Sequence, residues 1–396
     1  MDPNRSIDIK TERIKVGMTF DFDLTDSVGR IVLRAGQHFD ESIRKRLVAS
    51  GVETLTILVM PQGQSLTKVL LESYSAESVE KLDNMITQTE QTLQSFVDGL
   101  SSNRQSNCDA LRNQLDRFIL EATKDSSVLL GVLAARWSID LPKESSRISS
   151  RSTRLSCLSM VTGSLMGLSN SDLISVGLAG LMHDVSVFFH PEWQNPQYRA
   201  MNRKEFITAY QKHPTESVEF LSMTAGLGQQ TRVMISQLHE QLDGSGFPRG
   251  LRGPQILPGS RILNVVDAYL EIVDPLFRDD GVVPSDALAQ ICFHAVQGVF
   301  DREATRNLID AISVYPIGTE VDLSDSRRAV VVRTNPGKPL EPVVRLLDGS
   351  QQIADLLHTR LFIRSPTPGA RGRRLKPQME LGFPLWDACA VLDSKE

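Results

Sequence analysis

The chain has 396 residues, 41% of them hydrophobic and 23% charged, with a formal net charge of -5. That length holds two or three compact units with a sizeable core, and that charge offers no bulk attraction to nucleic acid or to an anionic membrane. Its four cysteines, Cys108, Cys157, Cys292 and Cys389, share no CxxC spacing, so neither a disulfide framework nor a zinc ribbon is indicated and a reducing cytoplasm fits best.

The N-terminus "MDPNRSIDIK" carries no apolar signal region, and the most apolar run, "VLLGVLAA" from Val128 to Ala135, is far shorter than the roughly 20 residues of a spanning helix. The expectation is a cytoplasmic protein with neither DNA nor membrane among its partners. Residues 1–62 read as a small α+β unit: "IKTERIKVGMTFDFDL" alternates as a strand does, "GRIVLRAG" follows, and "DESIRKRLVASGV" predicts a short helix with Asp40 as its N-cap. "PQGQS" after Met60 reads as a linker.

Residues 63–125 predict linking helices. From Ala76, the apolar positions Val79, Leu82, Ile86, Leu93, Phe96 and Leu100 form a narrow seam, suited either to a neighbouring helix of the same bundle or to a second copy in a homodimer. A second helix runs through Leu111, Leu115, Phe118 and Ile119. Residues 126–314 are helical by periodicity, with Ser171 as N-cap of a helix that ends at His183. Residues 315–366 turn strand-rich, with "RTNPGKPLEP" as a hairpin or loop, and residues 367–396 form a tail that opens on a short basic run.

Of seven histidines, three stand in acidic helical contexts: His183 in "LMHDV", His213 in "QKHPTE" and His239 in "QLHEQ". Asp184 adjoins the first, and Asp267 follows in "NVVDAY". A helical bundle can converge such residues on one metal pocket, because imidazole and carboxylate are ligands that borderline transition metals accept. Taken one at a time, each is equally a surface or core histidine.

In combination, "LAGLMHDV", "KHPTESVEFL" and "LHEQLDGSGFPRGLRGPQILPGSRILNVVDAY" closely resemble the HD-GYP domain, a subgroup of the HD metal-dependent phosphohydrolases. "DGSGFPRGL" is the most specific part, with Phe247 where the family has its Tyr. The resemblance covers roughly residues 126–314. It implies a multidomain protein with a central all-α HD-GYP helical bundle between the N-terminal α+β unit and the C-terminal β-rich unit. The activity it implies is hydrolysis of cyclic di-GMP to pGpG, and often to GMP, at a two- or three-metal site of iron or manganese. His183, Asp184, His213, His239 and Asp267 match metal-ligand positions, with Asp184 as the bridging and catalytic one. Gly244, Gly246, Phe247, Pro248 and Arg249 match the loop that meets substrate or partner. Glycines there let the backbone turn sharply and approach a neighbour, and proline stiffens the exit.

Against that pattern the chain departs where the chemistry lies. "RSTRL" puts Arg151 where the family has a ligating His, and Arg147 stands where some members have Glu. Val187 replaces a phosphate-contacting Lys, Leu238 a second His, and Leu270 an Asp. A guanidinium has no lone pair to give a metal. Arg147 and Arg151 share a helix face, so they either turn inward to neutralise Asp184 or Asp267 in place of a metal, or turn out to solvent.

Two readings follow. In one, the chain is a degenerate HD-GYP protein of bacterial cyclic di-GMP signalling, weakly active or inactive, that binds cyclic di-GMP, a related nucleotide or a protein such as a GGDEF-domain cyclase, with no cofactor. In the other, Asp184, His213 and His239 hold one divalent transition metal in a working phosphodiesterase. A third, blander reading is a scaffold that only connects the flanking units.

Overall fold

The computed structural model describes residues 7–366 except for 12–13, 15, 19–23, 26–30, 34–38, 53, 58–65, 103–105, 139–143, 278–280, 349 and 351. The "PQGQS" linker and the tail from residue 367 lie outside the described residues.

The first unit pairs β1 (Ile7–Lys10), β2 (Leu24–Thr25), β3 (Ile31–Leu33) and β4 (Thr54–Ile57) in the order β1-β4-β2-β3, with α1 (Glu41–Ala49) between β3 and β4. The side chain of Asp40 caps α1 as expected, accepting from Ile43 N at 2.8 Å. Ile43 and Leu47, one turn apart, join Leu24, Leu33, Phe39 and Leu55 in a core that belongs to this unit.

The second body is built of helices: α2 (Leu66–Leu71), α3 (Ala76–Ser101), α4 (Asp109–Ser138), α5 (Glu144–Leu165), α6 (Asn170–Met182), α7 (Pro196–Met201), α8 (Arg203–Tyr210), α9 (His213–Phe220), α10 (Gln229–Gln237), α11 (Pro258–Val273), α12 (Pro284–Val296) and α13 (Arg302–Ile312). An antiparallel sheet follows, of β5 (Glu320–Leu323), β6 (Arg328–Arg333), β7 (Val343–Leu346), β8 (Ile353–Asp355) and β9 (Ile363–Pro366), ordered β8-β7-β6-β5-β9. "RTNPGKPLEP" is the loop of the β6–β7 hairpin.

The seam of α3 is used inside the chain. Leu82, Ile86, Leu93 and Phe96 are buried in the same core as Leu111, Leu115 and Phe118 of α4, so the neighbouring-helix alternative is the one the structure displays. The N-cap of α6 is Ser169 rather than Ser171: Ser169 has extended backbone and accepts from Asp172 N at 3.2 Å. Ser171 already lies in the first turn, where its carbonyl receives the Ser175 hydroxyl.

Helix α4 is interrupted at Asp125, whose φ of -159° and ψ of 97° break the helical path. Asp125 then caps the second half by accepting from Ser127 N at 2.9 Å, and its other oxygen pairs with Arg333 of β6 at 2.7 Å. The ring of Tyr74 fills the notch at Gly131, and its hydroxyl donates to the Val332 carbonyl. Linking helices, bundle and C-terminal sheet thereby share one continuous apolar core, from Val69 to Ile363.

The stretch Asn170–Phe189 has the length and composition to cross a bilayer, yet 78% of its most apolar window is buried inside the bundle. Its helix α6 packs along α5, tied by the Ser156 hydroxyl donating to Gly177 O at 2.8 Å, and leads directly into His183 and Asp184 of the polar centre.

Candidate functional site

Five elements bring the expected residues together. His183 ends α6 and Asp184 follows it; His213 opens α9; His239 lies just past α10; Asp267 sits on α11, and Arg151 faces it from α5. None of these six is more than 3% exposed.

Asp184 is the hub. Its Oδ2 lies 3.0 Å from His183 Nε2 and its Oδ1 3.2 Å from His213 Nε2. His213 Nε2 is in turn 3.1 Å from His239 Nε2, and His239 Nδ1 lies 3.6 Å from Asp267 Oδ2. The Nδ1 atoms of His183 and His213 meet the carbonyls of Gly180 (2.9 Å) and Tyr210 (2.5 Å), which turns each Nε2 inward, as a ligating imidazole is oriented.

Burial disfavours charge on every one of these groups, and neighbours decide which keep it. For His183, the nearby Asp184 and Asp267 outweigh burial and raise its pKa above the ordinary histidine value. Burial likewise works against the Asp184 carboxylate, but His183 and His213 hold its pKa well below the usual range. His239 goes the other way: burial, with His213, His183 and Arg151 close by, pushes its pKa well down and leaves it neutral.

On the α5 side, Arg151 turns inward. Its Nη2 lies 2.8 Å from Asp267 Oδ1 and 3.2 Å from Glu271 Oε2, and its Nη1 donates to the Asp274 carbonyl at 2.9 Å. Arg147 reaches the Pro275 carbonyl at 2.6 Å and Asp274 Oδ1 at 3.6 Å. Arg154 pairs with the other oxygen of Asp274. Arg147, Arg151 and Arg154 recur at four and three residues along α5, and Asp267, Glu271 and Asp274 recur at four and three along α11 and its cap. The spacing of each set gives one face of a helix, so the two faces meet as a ladder. These three guanidiniums stand opposite the three carboxylates of Asp267, Glu271 and Asp274.

An aromatic cluster closes the centre. Tyr210 lies 4.4 Å from the His213 ring and 5.6 Å from Phe277, and Phe247 stacks on His239 at 4.8 Å. Val187 is buried with Ile148, Trp193, Phe206 and Leu276 in a small apolar cluster beside it.

The signature loop runs over the outside. Gly244 takes a φ of 82°, and a Cβ on Gly246 would stand 2.3 Å from Gln241 N and 2.4 Å from His239 O, so only glycine fits there. Phe247–Pro248 is a cis peptide bond. Buried Glu240 pins the loop, accepting from Arg249 N at 2.8 Å and Leu251 N at 2.7 Å. Asn264 of α11 donates to the carbonyls of Leu238 and Glu240 at 2.8 and 2.9 Å. Arg249 itself is half exposed.

Residues 140–304 match the family model of the HD domain. The chain is an HD-GYP domain protein. Cyclic di-GMP phosphodiesterase PdeB of Borreliella burgdorferi is 25% identical over 205 residues, 52% of this chain and 53% of that protein. Cyclic di-GMP phosphodiesterase PA4108 of Pseudomonas aeruginosa is 27% identical over 187 residues, 46% and 44% of the two chains. The chain thus spans about half the length of the curated relatives it matches. Among solved structures, Bd1817, a HDG"Y"P protein from Bdellovibrio bacteriovorus, has a TM-score of 0.41 at 15% identity, covering 77% of this chain and 99% of that one.

HD-domain phosphohydrolases use divalent metals, so the residues of this HD-GYP domain can be tested for fit. The inward Nε2 atoms of His183 and His213 suit a metal. The Asp267 half does not, because a permanently protonated guanidinium already holds that carboxylate. Among the described residues, no group of three or more His, Cys, Asp or Glu is posed to hold an ion. As arranged, the residues do not fit the multi-metal centre that the family resemblance implies.

Sequence reasoning missed Arg154, Glu271 and Asp274, which complete the ladder, and Glu240 and Asn264, which hold the loop. The four-and-three spacing of acids from Asp267 was the available signal for the first group. Nothing in the sequence marks Asn264.

Proposed function

We propose that this HD-GYP domain works in bacterial cyclic di-GMP signalling in the cytoplasm as a binding module rather than a hydrolase. The observation that carries the reading is the closure of the centre: every matched ligand is buried, Tyr210 and Phe247 cover the histidines, and Val187 lies in apolar packing where the family resemblance implies a phosphate-contacting lysine. In-line attack on a phosphodiester needs the phosphorus within reach of an activated water, and the burial of the matched ligands beneath Tyr210 and Phe247 works against both. What stays exposed is the loop, with Asp243, Ser245, Arg249 and Arg252 outward on a backbone pinned from below. Output then runs through that loop to a partner protein such as a GGDEF-domain cyclase, or through cyclic di-GMP bound near it.

A second reading draws on one observation. Asp184 Oδ1, His213 Nε2 and His239 Nε2 lie within 3.1–3.2 Å steps of one another, and three protein ligands suffice for a catalytic ion. The experiment is elemental mass spectrometry on protein purified without added metal or chelator, run beside a cyclic di-GMP cleavage assay in manganese and in iron(II) and equilibrium dialysis of cyclic di-GMP. Absence of turnover supports the binding module, and retained dinucleotide identifies its ligand. Turnover with stoichiometric metal overturns it and returns Asp184, His213 and His239 to an enzyme.

A further inference from the structure

We infer that the guanidinium of Arg151 is the resident cation of this centre: it stands in for a divalent ion on the Asp267 side and fixes α11, the helix to which the signature loop is tied. The inference deepens the binding-module reading, since it says what sets the loop's position when no ion does.

The charge argument comes first. Asp267 and Glu271 are carboxylates facing a low-dielectric interior, and uncompensated they would be strongly destabilising. A metal would supply positive charge at their oxygens, and Arg151 Nη2 supplies it instead, at 2.8 and 3.2 Å. The guanidinium is 3% exposed, and burial, which alone would lower its pKa, is outweighed by Asp267, Glu271 and Asp184, which raise it beyond the ordinary value. The charge is therefore permanent. It is also covalently attached, so it cannot be lost to a chelator.

The mechanical argument follows α11. Arg151 anchors Asp267 and Glu271, while Arg147 and Arg154 hold Asp274 at the end of that helix. One turn before Asp267, Asn264 holds the carbonyls of Leu238 and Glu240, and the Glu240 carboxylate holds the loop at Arg249 and Leu251. The links from Arg151 to Asp267, from Asn264 to the two carbonyls and from Glu240 to the loop are direct hydrogen bonds, and those to Glu271 and from Arg147 to Asp274 are ion pairs. The arginine ladder thus sets α11, and α11 sets the loop, which makes Arg151 a positioning residue for a surface it does not touch.

The test uses the full chain and two readouts: thermal unfolding with EDTA or with manganese, and amide hydrogen exchange of residues 244–251. The wild type is expected to melt at the same temperature in both solutions. Arg151→Ala is expected to melt about 5–15 °C lower, with exchange in the loop rising at least about tenfold. Arg151→Lys keeps a point charge without the fork and falls in between. Because Arg151→Ala could fail to fold, the double variant Arg151→Met/Asp267→Asn removes both charges together. Recovery of at least half of the lost melting temperature in it supports charge replacement; a double variant as damaged as Arg151→Ala overturns it. The inference also falls if wild-type melting drops in EDTA, or if Arg151→Ala matches wild type in melting and loop exchange. Cyclic di-GMP turnover by the wild type would sink the binding-module reading and leave these thermal results to judge Arg151 separately.

Discussion

The two halves of the buried centre solve the same electrostatic problem by different means. Around Asp184, two histidines with carbonyl-oriented rings share one carboxylate, and charge there depends on protonation. Around Asp267, three arginines of α5 meet three acids of α11 and its cap, and the guanidinium charge there is permanent. The first half keeps the orientation of a metal centre; the second has the construction of a buried ion-pair network. Such networks are costly to break rather than strongly stabilising as wholes, because removing one partner strands the other.

That contrast can be broken most severely at Asp267. Asp267→Ala should remove the nearer of the two carboxylates that hold the buried Arg151 and cost up to about 3–5 kcal/mol, read by denaturant unfolding, whereas His183→Gln, which leaves a polar group beside Asp184, should cost clearly less. If the two variants are equal, the halves do not differ as described. Next comes Glu240→Ala, which leaves two loop amides without their acceptor and should cost about 1–3 kcal/mol, with faster hydrogen exchange at Arg249 and Leu251.

A pH titration sharpens the comparison further. Burial opposes the Asp274 carboxylate, but Arg154, Arg147 and Arg151 hold its pKa below the ordinary value. Its folded pKa is depressed, so its contribution is fully present above the unfolded value near 3.8 and is lost as pH falls through the folded one. Unfolding free energy should therefore decline on acidification below about pH 4, and Asp274→Asn should flatten that decline. The smallest effect belongs to the outer surface: Arg249→Ala should alter stability by no more than about 0.5 kcal/mol, while any binding that uses the loop weakens.

Much of this was legible in the sequence, for reasons that differ by region. Asp40 could be placed as a cap because capping depends on local chain alone, and the inward turn of Arg151 was one of two outcomes that its spacing from Arg147 and the retained Asp267 allowed. "DGSGFPRG" announced its own geometry, since Gly246 is required by atoms of residues only five to seven positions away. The choice of Ser169 over Ser171 depended on where backbone hydrogen bonding begins, which two nearby serines do not reveal. Asn264 and Glu240 act through contacts across 24–26 and 9–11 residues, and the closure by Tyr210 and Phe277 depends on tertiary packing that no local pattern encodes.

The junction at Tyr74, Gly131 and Val332 bears on how this protein could be taken apart. Separable domains have their own cores and comparatively polar interfaces, whereas β5–β9 share the apolar core of the helices. Excising residues 315–366 would uncover the α4 surface at Ala134, against which Gly318 packs, and leave the Tyr74 hydroxyl without its acceptor and Asp125 without Arg333. The C-terminal sheet and the helices therefore form one structural piece, and a shortened chain ending after α13 should come out of expression aggregated.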